Sequence, residues 1–240
     1  MGVTAALLLA SPAALGAEAI GDAVGVTPAA VGTVSGDLGV NVNVYRDETV
    51  RTGPTGVLEI LFLDQTRLAL GSASSVKLDR FVYSGGQASD VVIDLSKGAF
   101  RFATGISRKK AYSIQTPLAG IGVRGTNFTA EITDAYERYT IWEGAIVVCP
   151  GHRGGSGGQR CPVLRRPGET LTLFPSGAVR RGGPPVTFAL NCAETGANAL
   201  LCSRYGGNGP GRDGQNRPGF NFPTFNPPTR RGNPTGAAPQ

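Results

Sequence analysis

Several groups of residues in this sequence have types and spacings that could do chemistry. Gly120-Ile-Gly-Val-Arg-Gly125 spells G-x-G-x-x-G, the spacing with which a strand-turn-helix unit holds a dinucleotide pyrophosphate on a helix N-terminus. That chemistry needs the third glycine to open a helix. Thr126 to Thr133 instead alternates apolar and polar residues like a strand, so no nucleotide or other cofactor is expected. Serine chemistry lacks a base, because the single histidine, His152, sits among glycines with nothing to orient it. Asp64, Asp79, Asp90 and Asp94 are carboxylates of the kind that work as acid-base pairs, but their positions read as turns and solvated strand faces. Asn127-Phe128-Thr129 matches a glycosylation acceptor and falls on an expected strand. The expected protein is therefore not an enzyme.

The cysteines are Cys149, Cys161, Cys192 and Cys202, an even count confined to a Gly/Pro-rich region. That pattern fits disulfides formed in an oxidising compartment. Three pairings are open, of which Cys149 with Cys161 and Cys192 with Cys202 close the shortest loops. Zinc is the poorer reading, since there is no C-x-x-C and His152 lies in a Gly-rich run.

The elements that must position these residues are strands. Gly (36) and Pro (17) together exceed a fifth of the 240 residues, against about an eighth in average usage, which disfavours helices and multiplies turns. From Asn41 onward short β segments alternate with turn residues. Val57 to Leu63 is apolar on both faces except at Glu59, which suits a strand buried on both sides. Leu68 and Leu70 alternate with Arg67 and Ala69, Val76 and Leu78 flank Lys77, and Phe100 and Phe102 flank Arg101. Further strands are expected at Asn127 to Ile132, Arg138 to Trp142 and Ala145 to Cys149, the last two joined by a tight turn at Glu143-Gly144. Others follow at Glu169 to Phe174 and Ala178 to Arg181, around the turn Pro175-Ser176-Gly177. The fold class expected is all-β, two stacked sheets of short strands arranged as a sandwich or short β-solenoid.

Charge divides by position. Residues 1–148 carry 12 Lys and Arg against 14 acids, whereas residues 149–240 carry 11 Arg against Glu169, Glu194 and Asp213. The net charge of +6 thus comes from the C-terminal part, which argues for solubility or weak polyanion contact and against sequence-specific nucleic-acid readout. Residues 203–240 hold eight Gly and seven Pro, with too few apolar groups to offset the entropy of ordering them, and read as a disordered tail. Ala5 to Ala10 followed by small residues through Ala19 has the apolar core and exit of a signal peptide, although no Lys or Arg precedes Arg46. No later stretch reaches the roughly 18 to 20 apolar residues that span a bilayer as a helix. The expected organisation is a signal peptide at 1–19, a β domain at 20–148, a disulfide-bearing Gly/Pro-rich β extension at 149–202 and the tail at 203–240.

Val50 to Asp79 (VRTGPTGVLEILFLDQTRLALGSASSVKLD) resembles the repeats of the FecR family, which run from T-G to D-G-T before an apolar strand and a small-residue turn. Asp64 and Thr66 match that pattern, with Gln65 where the family has Gly; a positive φ there carries a modest cost. Thr116-Pro117, then Val123-Arg124-Gly125-Thr126 and Phe128, look like the family's T-P and V-R-G-T-x-F signature, and Glu143-Gly144 like its closing E-G-x-V. Without the family, Thr116-Pro117 reads as a strand exit. Arg124 reads as structural, reaching across a turn to carbonyls or to a carboxylate such as Asp94 or Glu143. The resemblance implies a periplasmic domain that takes a signal from an outer-membrane transporter and passes it through a membrane helix to a sigma-factor regulator. Neither that helix nor a cytoplasmic regulatory domain is legible here. The expectation is a stand-alone periplasmic or secreted binding or signal-relay protein, whose partner is another envelope protein or a cell-surface ligand. The rival is a structural envelope or extracellular-matrix protein whose Arg/Gly/Pro tail contacts polysaccharide or other polyanions.

Overall fold

Period-two alternation of apolar residues sets the local structure from Ala19 onward, and each run becomes a strand with one face turned inward. The computed structural model describes residues 17–84, 87–108, 111–151 and 161–186. The first strands are β1 (Ala19–Thr27), β2 (Ala30–Gly32), β3 (Gly36–Asp37), β4 (Asn43–Tyr45) and β5 (Glu48–Thr52). They are followed by β6 (Val57–Phe62), β7 (Arg67–Leu70), β8 (Ser75–Ser84), β9 (Gln87–Ala103) and β10 (Tyr112–Gln115). The last are β11 (Ala119–Ile132), β12 (Glu137–Pro150), β13 (Val163–Leu164), β14 (Thr170–Leu173) and β15 (Val179–Arg181). No helix forms among the described residues.

The all-β expectation holds. The strands, however, belong to one hydrogen-bonded network of 15 strands and not to two separate sheets. Three long strands, β9, β11 and β12, run through two rows. In the front row β5 pairs β8, β8 pairs the first part of β9, β9 pairs β10 in parallel, and β10 leads through 119–124 of β11 to 145–150 of β12 and then β13. In the back row β1, β6 and β7 lead to 98–103 of β9, then 127–132 of β11, 137–143 of β12, β14 and β15.

A strand that passes from one row to the other must bend sharply, and a bend with positive φ is easiest at glycine. Each long strand has one there: Gly98 (φ 111°), Gly125 (φ 56°) and Gly144 (φ 75°). The register of β11 against β12 also slips between Arg124 and Asn127, at the same corner. Glu143-Gly144 is therefore the bend within a single strand, β12, and not a turn between two. A hairpin and a corner make the same demand on φ, and only the presence of β11 alongside both halves decides between them.

The inner faces of the rows meet. Phe81 of β8 stacks on Phe62 of β6 with ring centroids 4.9 Å apart, and Tyr112 of β10 sits edge-on to Phe102 of β9 at 5.8 Å. Phe100 and Phe128 complete this aromatic centre, all but sealed from solvent; each such ring contributes about 1.5–3 kcal/mol by leaving water. Val57–Phe62 is buried on both faces as its composition requires, and Glu59 within it pairs with Arg67 at 2.8 Å. β12 runs through residue 149, and β13 to β15 extend the same sheet, with Leu164, Leu171 and Leu173 buried in the common core. The strands around Pro175-Ser176-Gly177 form as expected, with Gly177 at φ 81°.

Candidate functional site

The motif residues separate into two interior clusters that tie the rows together and one corner that reaches the surface. In the first cluster the β6-β7 turn places Gln65 at φ 66°, the positive value expected where the family has glycine. Asp64 beside it has no exposed surface. One of its oxygens accepts the Thr66 N–H at 3.1 Å and the other accepts the Tyr112 hydroxyl at 2.6 Å. Thr66 donates its own hydroxyl to Tyr112 Oη at 3.0 Å and accepts the Gly105 N–H at 3.1 Å. Asp64 and Thr66 lie in the back row and Tyr112 in the front, so this network bolts one row to the other.

The second cluster does the same at the other end of β10. Thr116 follows the last residue of β10, and Pro117 sits exposed in the turn, as a strand exit should. Thr116 donates its hydroxyl to Glu137 Oε2 at 2.7 Å and accepts the Ala119 N–H at 3.0 Å. The Leu118 N–H reaches Glu137 Oε1 at 2.9 Å, and the Tyr139 hydroxyl donates to Glu137 Oε2. Glu137 and Tyr139 are fully buried. These carboxyl groups have every oxygen engaged and no open approach, so neither cluster presents an acid or base to a substrate.

Burial raises the hydroxyl pKa of Tyr139 and Tyr83 well above the usual value, and that of Tyr112 to about 12; nearby Glu137 or Asp64 adds to each shift. A tyrosine whose folded pKa is raised contributes stability that is complete below its unfolded pKa of about 10 and is lost as pH climbs through the folded value. We expect phenolate absorbance to rise in two stages on alkaline titration. The later stage, from Tyr83, Tyr112 and Tyr139, comes only as β-sheet circular dichroism disappears. A single smooth titration with the sheet intact would show that these hydroxyls are not sealed in.

The corner is built from Arg124-Gly125-Thr126 of β11 and Glu143-Gly144 of β12. Thr126 is its clasp: its hydroxyl donates to the Ala145 carbonyl at 2.9 Å and accepts the Arg124 N–H at 2.8 Å, while its N–H donates to Thr104 Oγ1 at 2.9 Å. Phe128, two residues on, points into the core. Glu143 is exposed. The Arg124 side chain does not play the structural part expected of it. It is exposed and forms no ion pair with Asp94, Glu143 or any other described residue. It lines a groove of about 790 Å³ on the outer face of the front row, together with Gly122, Ala145, Val147, Val163 and Arg165. Cys149 and Cys161 close one end of this region with a disulfide, Cα atoms 4.4 Å apart. The expected pairing of Cys192 with Cys202, most of the segment expected to be a signal peptide, the glycine run after Gly151 and residues 203–240 lie outside the described residues. Past Gly125 the chain continues as strand β11, so the G-x-G-x-x-G spacing has no helix N-terminus to offer.

Sequence reasoning missed Tyr112, Glu137, Tyr139 and Glu48. Glu48 is fully buried, and its carboxylate holds the N–H groups of Val34, Ser35 and Tyr45 and the Ser35 hydroxyl. A signal was present: Glu48 shares the apolar face of its strand with Val50, and Glu137 shares one with Tyr139 and Ile141. An acid on the inward face of an alternating strand must find donors inside.

Residues 48–147 match the model of the family described as FecR protein. The chain carries a FecR domain. The match begins at Glu48 in β5 and ends at Val147 in β12, so the sheet extends beyond the FecR domain at both ends, by β1 to β4 before it and β13 to β15 after it. All three corner glycines and both interior clusters lie within it. No curated protein matches the chain. Among solved structures, two crystal structures of a candidate anti-sigma factor from Parabacteroides distasonis ATCC 8503, at 1.65 and 2.50 Å resolution, are similar at 13% identity, with TM-scores of 0.46 and 0.45. The alignment covers 57% of this chain and 60% of that protein. No helix among the described residues is long and apolar enough to cross a membrane.

Proposed function

We propose that this is an exported, non-enzymatic signal-relay protein that acts by binding another envelope protein through its FecR domain. The observation that carries the reading is the FecR match over residues 48–147, because that family works by relaying signals between proteins and not by catalysis. The interior supports it: Asp64, Thr66, Thr116, Thr126 and Glu137 are consumed in holding the two rows together, so function falls to the surface. The apolar segment Ala5 to Ala10 with its small-residue exit supports export, and a disulfide is at home in an oxidising compartment.

Deleting the gene in the native host and complementing it with the full-length chain tests the reading. We expect the transcripts that depend on one alternative sigma factor to change on deletion and to return on complementation. The protein recovered from the periplasm or medium should begin among residues 17–20 by mass spectrometry. An unchanged transcript profile under every envelope stress applied, or an intact N-terminus in the cytosol, would refute it.

A further inference from the structure

The groove beside the corner is built by a register that sequence spacing does not reveal. Arg124 of β11 pairs with Ala145 of β12, and Ile146 and Val147 pair with Leu164 and Val163 of β13. Continuing that register sets Arg165 opposite Ala145. Across three adjacent strands the outer face therefore reads Arg124, Ala145, Arg165, and the neighbouring row reads Gly122, Val147, Val163. Strands about 4.8 Å apart put the two arginine backbones about 10 Å from each other, straddling a methyl group.

Two like charges in such a row repel unless an anion sits between them, and the described residues supply none. Neither Arg124 nor Arg165 forms a side-chain ion pair among the described residues. The nearby Glu169 carboxylate is occupied by Arg181 at 2.6 Å and by the N–H groups of Arg165 and Arg166. Gly122 supplies an independent observation. Most glycines of the sheet are demanded by a positive φ or by backbone that a Cβ would strike. Gly122 has neither constraint, and a Cβ built on it meets nothing closer than Val147 Cβ at 3.9 Å. A glycine in a strand weakens the strand, so its absence of side chain keeps a floor open where another chain can approach.

We propose that this groove holds an extended acidic segment of a partner protein, with one carboxylate seated over Ala145 between the guanidinium groups of Arg124 and Arg165. The inference rests on the relay reading above, which requires a protein partner. A guanidinium fork matches a carboxylate's geometry, and the valines beside it suit the apolar face of a peptide. The chain's own remaining segments fit poorly: the loop closed by Cys149 and Cys161 contains Arg153 and Arg160 and no acid, and residues 187–240 hold five arginines against Glu194 and Asp213.

The test uses the full-length oxidised protein and a short synthetic peptide of alternating serine and glutamate, with a serine-glutamine peptide and a polyuronate oligomer alongside. Titration followed by amide NMR should move the signals of Gly122, Arg124, Val147 and Arg165 with the glutamate peptide and not with the glutamine one. Gly122→Val places a strand-favouring side chain in open space, so it should melt at or above the wild-type temperature while weakening binding at least about tenfold. Arg124→Ala should weaken binding similarly, whereas Arg80→Ala, on another strand, should not. Equal affinity in Gly122→Val, shifts confined to residues outside the groove, or tighter binding of the polyuronate than of the peptide would each overturn the proposal. In cells, a sigma-factor response lost on gene deletion but normal with Gly122→Val would overturn the groove and leave the relay standing. No response to deletion, with the peptide still selective in vitro, would sink the relay alone and uphold the groove's chemistry.

Discussion

Gly144→Ala should unfold this protein at temperatures where the wild type is intact. Gly144 has φ 75°, a conformation that costs an ordinary residue about 1–2 kcal/mol. The larger part of the effect is steric. A Cβ there would overlap the Gly125 carbonyl and stand 2.8 Å from the Arg124 carbonyl oxygen. Both are backbone atoms of β11 locked into the sheet, so the neighbour cannot give way. The two penalties together should exceed about 4 kcal/mol, beyond the usual range for a single substitution. Gly177→Ala separates the causes: it has φ 81° but nothing within 4 Å of the added atom. It should lose only the conformational part, about 1–2 kcal/mol. Paired denaturant melts check both, and equal losses at the two positions would show that the corner is not closely packed.

Glu137→Ala should be the next most damaging change. It removes the acceptor of the Tyr139 hydroxyl, the Thr116 hydroxyl and the Leu118 N–H from a site with no exposed surface. A buried donor left without a partner costs about 1–3 kcal/mol. Thr116 can still turn its hydroxyl to the Ala119 carbonyl at 3.0 Å, and the desolvated carboxyl group is itself relieved. The net loss expected is therefore about 3–5 kcal/mol, or roughly 10 °C in melting temperature for a chain of this size. Glu137→Gln, which keeps one acceptor oxygen, should lose less than Glu137→Ala. A Glu137→Ala protein melting within a degree or two of wild type would mean that the cluster does not tie the rows.

The physical basis of each reading explains which parts of the molecule were legible. Alternation identified most strands because the burial of a strand face depends on residues two apart, a strictly local relation. The same locality made Gln65 readable, since the β6-β7 turn demands a positive φ whatever the rest of the chain does. It also made the Cys149–Cys161 bond the natural choice, because the two cysteines flank a short loop. Glu143-Gly144 shows where locality ends. The residues announce a positive φ, but whether the chain reverses or only bends depends on β11, a strand that begins more than twenty residues earlier.

The sequence by itself determined that the protein is all-β and that its motifs are those of a FecR domain. These follow from propensities, periodicities and spacings carried by neighbouring residues. Only the tertiary structure decided that the strands form a single sheet folded over at Gly98, Gly125 and Gly144, and that Asp64 meets Tyr112 and Thr116 meets Glu137 across the two rows. It also decided that Arg124 faces solvent beside Arg165. Those contacts join residues some 20 to 50 positions apart, and a register shift of one residue would send each side chain to the opposite face. Their partners are fixed by how the rows pack, which no local pattern encodes.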